Sequence, residues 1–153
     1  MPGTGIFARK FDEFDGYVQV GIANGRVISV SFPEQPETDA QSDERTLDWI
    51  EEYLAGKETA VTDVETGLTV PTDQRTVLET VRKIPYGEEL SIKRLVARSP
   101  GLDPEDTSDL DLARKALADN PIPLFVPDHR VENAPSGAPP RIRSIFRDVE
   151  GLD

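Results

Sequence analysis

The chain has 153 residues, no cysteine, one histidine and a formal net charge of -12 at pH 7, a length for one domain or two small ones that bury a core without disulfides. Without cysteine there is no thiol nucleophile, Cys-ligated zinc site or iron–sulfur cluster, and one histidine excludes a His-rich metal site, so neither metal nor cofactor is expected. No run of 18 apolar residues occurs and the N-terminal MPGTGIFARK lacks the apolar core of a signal peptide, so a cytoplasmic protein without a membrane partner is expected.

In chain order, residues 5–10 read as a short strand. Residues 17–32, YVQVGIANGRVISVSF, form a hairpin with Asn24-Gly25 at its turn. Val18, Val20 and Ile22 alternate on one strand, and Ile28, Val30 and Phe32 on the next. Facing Ile22 with Ile28 and Val20 with Val30 requires an odd loop or a bulge, because a one-residue slip turns an apolar set to solvent. The polar stretch 33–43 is a loop, with Ser42 or Asp43 as cap for a helix carrying Leu47, Ile50, Tyr53 and Leu54. Trp49 beside them reads as core packing. Residues 58–71 read as an extended connector anchored by Leu68 and Val70.

Beyond it the pattern turns helical. Thr72 or Asp73 is expected to cap a helix with a Val77, Leu78, Val81, Ile84 stripe, stopped by Pro85-Tyr86-Gly87. Ser91 caps a short helix, Ile92–Arg98, with Leu95 and Val96 inward. The acidic run DPEDTSDLD leads into a helix over Leu110–Ala118, and the pair suggests a helix-turn-helix with a long intervening loop. The strip NPIPLFVPDHRV follows, then the loop APSGAPP and a final helix with Ile142, Ile145, Phe146 and Val149. The expected fold class is α/β: a small α/β unit with an antiparallel hairpin sheet over residues 1–70, and a mainly helical, helix-turn-helix-like unit over 71–153.

Three motifs carry a resemblance: Ile84-Pro85-Tyr86-Gly87-Glu88, Asn120-Pro121-Ile122-Pro123, and Val126-Pro127-Asp128-His129-Arg130-Val131. With Glu150-Gly151 near the end, and a hairpin and helix ahead of them, nearly the whole chain resembles the O⁶-alkylguanine-DNA alkyltransferase family. The resemblance implies a DNA-repair fold whose active-site turn reads P-C-H-R-V, the thiolate being activated through the histidine and a glutamate. Here the cysteine position is Asp128, while Asn120, His129 and Glu150 are kept. The family's tyrosine after the Ser91 position is Ile92, its inserted arginine is Asp111, and Arg114 and Lys115 stand where it prefers small residues. Its substrate loop is shortened to Pro135-Ser136-Gly137-Ala138.

A carboxylate at Asp128 is a poor nucleophile beside a thiolate. The resemblance therefore implies a non-catalytic, alkyltransferase-like protein with a vestigial site at Asp128, His129, Asn120 and Glu150. Its implied partners are double-stranded DNA carrying alkylated guanine, bound weakly, and other repair proteins. The residues expected to meet DNA are Ser91, Lys93, Arg94, Arg114, Lys115 and Arg130. Arg98 adds to the first helical set, and Arg141, Arg143 and Arg147 form a second. The alternative is a degenerate relative that has left DNA and serves as a protein-interaction or regulatory domain.

Charge is unevenly spread: residues 1–73 hold 5 basic and 15 acidic side chains, residues 74–153 hold 12 and 14. Arginine outnumbers lysine 12 to 5. High acidity with little lysine is the pattern of a protein adapted to molar salt, where self-repulsion is screened. The melting temperature should therefore be higher in molar KCl than in dilute buffer; an unchanged value would remove the halophilic reading.

Overall fold

The computed structural model describes residues 4–42, 44–61 and 64–152; Asp43, one of the two expected helix caps, lies outside them. Strands β1 (Gly5–Phe11), β2 (Gly16–Ala23) and β3 (Arg26–Ser31) form an antiparallel sheet in that order. Helices α1 (Arg45–Leu54), α2 (Thr72–Val81), α3 (Ile92–Arg98), α4 (Thr107–Ala118) and α5 (Pro140–Glu150) follow. The fold is mixed α/β, with the sheet N-terminal and the helices C-terminal.

Asn24 and Gly25 both adopt positive φ, 53° and 78°, as a two-residue turn matched to strand twist requires. Val20 faces Val30 and a bulge is present, but Ile22 pairs with Val27 and not with Ile28. The cause lies in the connector. Val27 donates its N–H to Glu65 and accepts from Gly67 through its carbonyl, at 3.0 and 2.9 Å, so both its backbone polar groups are committed to the connector. Val27 is buried beside Val30, whereas Ile28 becomes the extra residue and lies against Gly67.

Two caps also differ from expectation. The α1 cap is Glu44, whose carboxylate accepts from the Thr46 N–H; the Ser42 carbonyl instead accepts from the Arg9 guanidinium. The α2 cap position is Pro71, which puts Thr72 and Asp73 inside the helix. Ser91 does cap α3, its hydroxyl accepting from the Arg94 N–H. Helix α4 starts earlier than the apolar pattern suggests, because the Asp106 carboxylate takes the Ser108 N–H at 2.9 Å and its hydroxyl at 2.6 Å.

One apolar cluster joins sheet and helices. Val18, Val20, Leu47 and Ile50 continue into Val77, Leu78, Leu95, Leu117 and Ile142, all buried, each contributing about 1.5–3 kcal/mol. Phe14 meets Phe146 of α5 edge-on at 5.9 Å. At the β3 edge, Val30 donates its N–H to the Pro121 carbonyl at 2.9 Å. Leu90 brackets the other end of the proline strip, donating to Arg130 and accepting from Glu132, both at 2.9 Å. These bonds pin residues 120–131 between the sheet and the helices.

The register is testable by a near-isosteric swap. Val27→Thr puts an unpaired hydroxyl in the core and should cost about 1–3 kcal/mol, while Ile28→Thr should cost less. Equal losses in urea denaturation, or a larger loss at Ile28, would contradict the bulge.

Candidate functional site

The strip from Asn120 to Arg130 is shaped by its prolines and by one amide. Pro121, Pro123 and Pro127 cannot donate N–H groups, so regular pairing is interrupted and the remaining polar groups turn inward. Asn120 gathers them. Its Oδ1 accepts from the Ile122 N–H at 3.0 Å, and its Nδ2 donates to the Val126 carbonyl at 3.0 Å and to Asp128 Oδ2 at 2.9 Å. A 3₁₀ turn over Asp128–Arg130 then drives three polar side chains into the interior.

Asp128 is 1% exposed. Besides Asn120 it accepts from the Ser136 hydroxyl at 2.6 Å and from the Gly137 N–H at 2.8 Å. All three donors are neutral. Burial pushes its carboxyl above the ordinary range, with those hydrogen bonds opposing the rise. The loop that supplies Ser136 and Gly137 lies directly on the Asn120 backbone: a Cβ built on Gly137 would overlap the Asn120 carbonyl oxygen.

Glu150, the last residue of α5, has a different environment. Oε1 accepts from the Gly87 N–H at 2.9 Å and Arg130 Nε at 2.8 Å. Oε2 accepts from the Tyr53 hydroxyl and His129 Nε2, both at 2.6 Å, and from an Arg130 terminal nitrogen at 3.1 Å. Burial alone would raise this carboxyl; the hydrogen bonds from His129 and Arg130 and the Arg130 charge outweigh it and hold it down at about 2. Burial lowers His129 despite the neighbouring carboxylate, so the ring is neutral and Nε2 carries the proton given to Glu150. Burial and the Glu150 charge raise the Tyr53 hydroxyl, which therefore stays a donor. His129 Nδ1 is buried without a hydrogen-bond partner among the described residues, and no hydrogen bond joins His129 to Asp128.

The structure thus brings Asn120, Asp128, His129 and Glu150 together. Arg130, expected at phosphate, is buried instead: besides Glu150 it donates to the Ile84 carbonyl at 2.7 Å and lies over the Tyr86 ring. Its sequence position beside His129 gave no sign that the turn points both inward. Lys93 and Arg94 are exposed on α3 and Ser91 is occupied as its cap. Arg114 and Lys115 are exposed on α4 but paired with Asp111 and Asp119 at 3.2 and 3.0 Å. Ile92 is buried and Asp111 exposed. Arg147, read as surface charge, is buried, donating to the His129 carbonyl and to Glu89. Sequence reasoning missed Tyr53 as a polar contributor, since it sits at core spacing in an amphipathic helix. Ser136 and Gly137 enter the sequence reading only as part of the shortened loop that the resemblance implies, without their contacts to Asp128.

The fold itself is shared with known proteins. The O⁶-methylguanine methyltransferase of Mycobacterium tuberculosis superposes with a TM-score of 0.69 at 23% identity, covering 97% of this chain and 95% of that one. The same organism's OGT in complex with DNA gives 0.71 at 22% identity, over 96% and 93%. An O⁶-methylguanine-DNA methyltransferase from the hyperthermophilic archaeon Pyrococcus kodakaraensis gives 0.65 at 18% identity, over 96% and 99%. No protein-family model matches the chain, and no curated protein matches it in sequence.

The two buried carboxylates should respond oppositely to amidation. Glu150→Gln leaves Arg130 without its counter-charge and should cost about 3–5 kcal/mol at pH 7. A depressed carboxyl stabilises above the ordinary carboxylate range and loses that contribution as pH falls through about 2, so the gap should narrow in acid. Asp128→Asn keeps the shape, and its amide can donate to the Ser136 oxygen. A raised carboxyl favours folding below its ordinary range and loses this as pH rises. The variant should therefore melt at or above the parent at pH 8, with the difference shrinking towards pH 4; a variant clearly less stable at pH 8 would show the charge is wanted.

Proposed function

We propose that the protein is an alkyltransferase-like, non-catalytic member of this fold's DNA-repair group, which contacts DNA weakly and transfers no alkyl group. The carrying observation is the state of Asp128. Both its oxygens are occupied by Asn120, Ser136 and Gly137, it is buried, and His129 does not reach it. An attacking atom must sit about 3–3.5 Å from the carbon it attacks, and this carboxylate faces hydrogen-bond donors on its own chain.

The DNA-binding part rests on α3. Lys93, Arg94 and Arg98 are exposed there and make no ion pair among the described residues, in a protein whose acidic groups outnumber its basic ones. A solved structure of the same fold holds DNA, which supports contact with a duplex without indicating which helix makes it. Helix α4 supports the second reading, a protein-interaction domain that has left DNA. Asp111 and Asp119 neutralise Arg114 and Lys115, and Asp103, Glu105, Asp106 and Asp109 crowd the start of the helix. Extruding a base costs a few kcal/mol, and Ile92 and Asp111 offer no inserted group to offset it.

Incubation with an O⁶-methylguanine duplex should leave the intact protein mass unchanged; a gain of one methylene mapped to Asp128 would overturn the non-catalytic reading. Asp128→Cys alone should restore little transfer. In dilute buffer a duplex should bind weakly, with modest preference for the alkylated base. Replacing Lys93, Arg94 and Arg98 by alanine should flatten the salt slope of log K by about 1 per cation removed. Absence of binding at low salt would favour the second reading.

A further inference from the structure

A second concavity lies away from Asp128, where the turn between β1 and β2, the end of β3 and the first turn of α5 meet. Its volume is about 290 Å³, at the small end of ligand sites, which run from roughly 300 Å³ upward. Asp15, Tyr17, Phe32, Pro33, Glu34 and Arg141 line it, together with Phe14, which is itself buried. The three charged side chains are exposed, and none of them makes a hydrogen bond or an ion pair among the described residues. One guanidinium and two carboxylates thus share a cleft without pairing with one another.

The walls are tied together. The Tyr17 N–H donates to the Pro33 carbonyl at 3.1 Å, which joins β2 to the segment after β3. Phe32 meets Phe14 edge-on at 5.7 Å and stands 6.1 Å from Phe146 of α5, while Phe11 packs on Phe14 at 5.6 Å. These contacts set the Phe32 ring, which is half-buried, as is Tyr17. Asp15 adopts φ 51° and gives its N–H to the Asp12 carbonyl at 3.1 Å. Its carboxylate therefore starts from a fixed backbone point in the left-handed region, which aspartate tolerates better than most residues.

We propose that this cleft binds a free aromatic α-amino acid, its ring against Tyr17 and Phe32, its carboxylate on Arg141 and its ammonium drawn to Asp15 and Glu34. The flat side chains select a ring, and the same faces attract an ammonium group. The guanidinium fork matches a carboxylate. A ligand of one charge would answer only one sign of the lining. A peptide segment would not serve either, because its α-amino and α-carboxyl groups are spent in amide bonds. The site is independent of Asp128 and of the DNA reading.

On the full chain, without DNA, the backbone amide NMR signals of Gly16 and Tyr17 should shift saturably with millimolar phenylalanine. Phenylethylamine, which lacks the carboxylate, and 3-phenylpropionate, which lacks the ammonium, should each bind at least fivefold more weakly. Arg141→Lys should retain the phenylalanine titration. Arg141→Glu, an exposed change with folding checked by circular dichroism, should abolish it. Asp15→Asn combined with Glu34→Gln should bring phenylalanine down to the level of 3-phenylpropionate. Equal affinity for either single-charge analogue, an unchanged titration in Arg141→Glu, or no saturable shift with phenylalanine would each overturn the proposal.

Discussion

The Glu150 carboxylate is the point on which the two parts of the molecule converge. A charge at the C-terminal end of a helix faces the negative pole of that helix, and burial adds a desolvation cost. The fold answers with donors from three separate segments: Tyr53 of α1, Gly87 of the turn after α2, and His129 and Arg130 of the 3₁₀ turn. Each must hold its place for the charge to remain buried. The position of α1 against α5, the end of α2 and the direction of the strip are therefore one problem with one solution.

Asp128, in the same turn, shows how far partners decide the character of a buried acid. Glu150 has a guanidinium and an imidazole; Asp128 has an amide, a hydroxyl and a backbone N–H. The Arg130 charge, added to the hydrogen bonds, pushes one carboxyl down, whereas neutral donors leave desolvation dominant at the other. The imidazole is committed to Glu150 through Nε2, and its Nδ1 is buried without a hydrogen-bond partner among the described residues.

The strands and helices could be placed along the chain from their apolar residues and turn signals, whereas Asn120, Asp128, His129 and Glu150 were singled out through resemblance to known motifs. What could not be read was direction. Whether Val27 or Ile28 faced the core depended on the connector at Glu65–Gly67, forty residues away in the chain. Arg130 and Arg147 look like surface cations in any sequence, and acceptors distant in the chain, among them Glu150, Glu89 and the Ile84 and His129 carbonyls, draw them inside. Caps followed the same rule: Ser91 was evident because its partner is three residues on, whereas Glu44 and Pro71 won positions that better-known capping residues nearby seemed to claim.

The closeness of Gly137 to Asn120 bears on how such a protein can change over generations. Asp128 holds the loop down, and glycine is the residue that lets the loop lie that low. A cysteine at 128 would remove the acceptor for Ser136 and Gly137 but leave the loop's shape; a larger residue at 137 would clash with the Asn120 carbonyl while Asp128 still pulls on the loop. Each step towards an open pocket is unfavourable until the other has been taken. Opening a pocket at this turn thus needs paired changes, one at 128 and one in the loop.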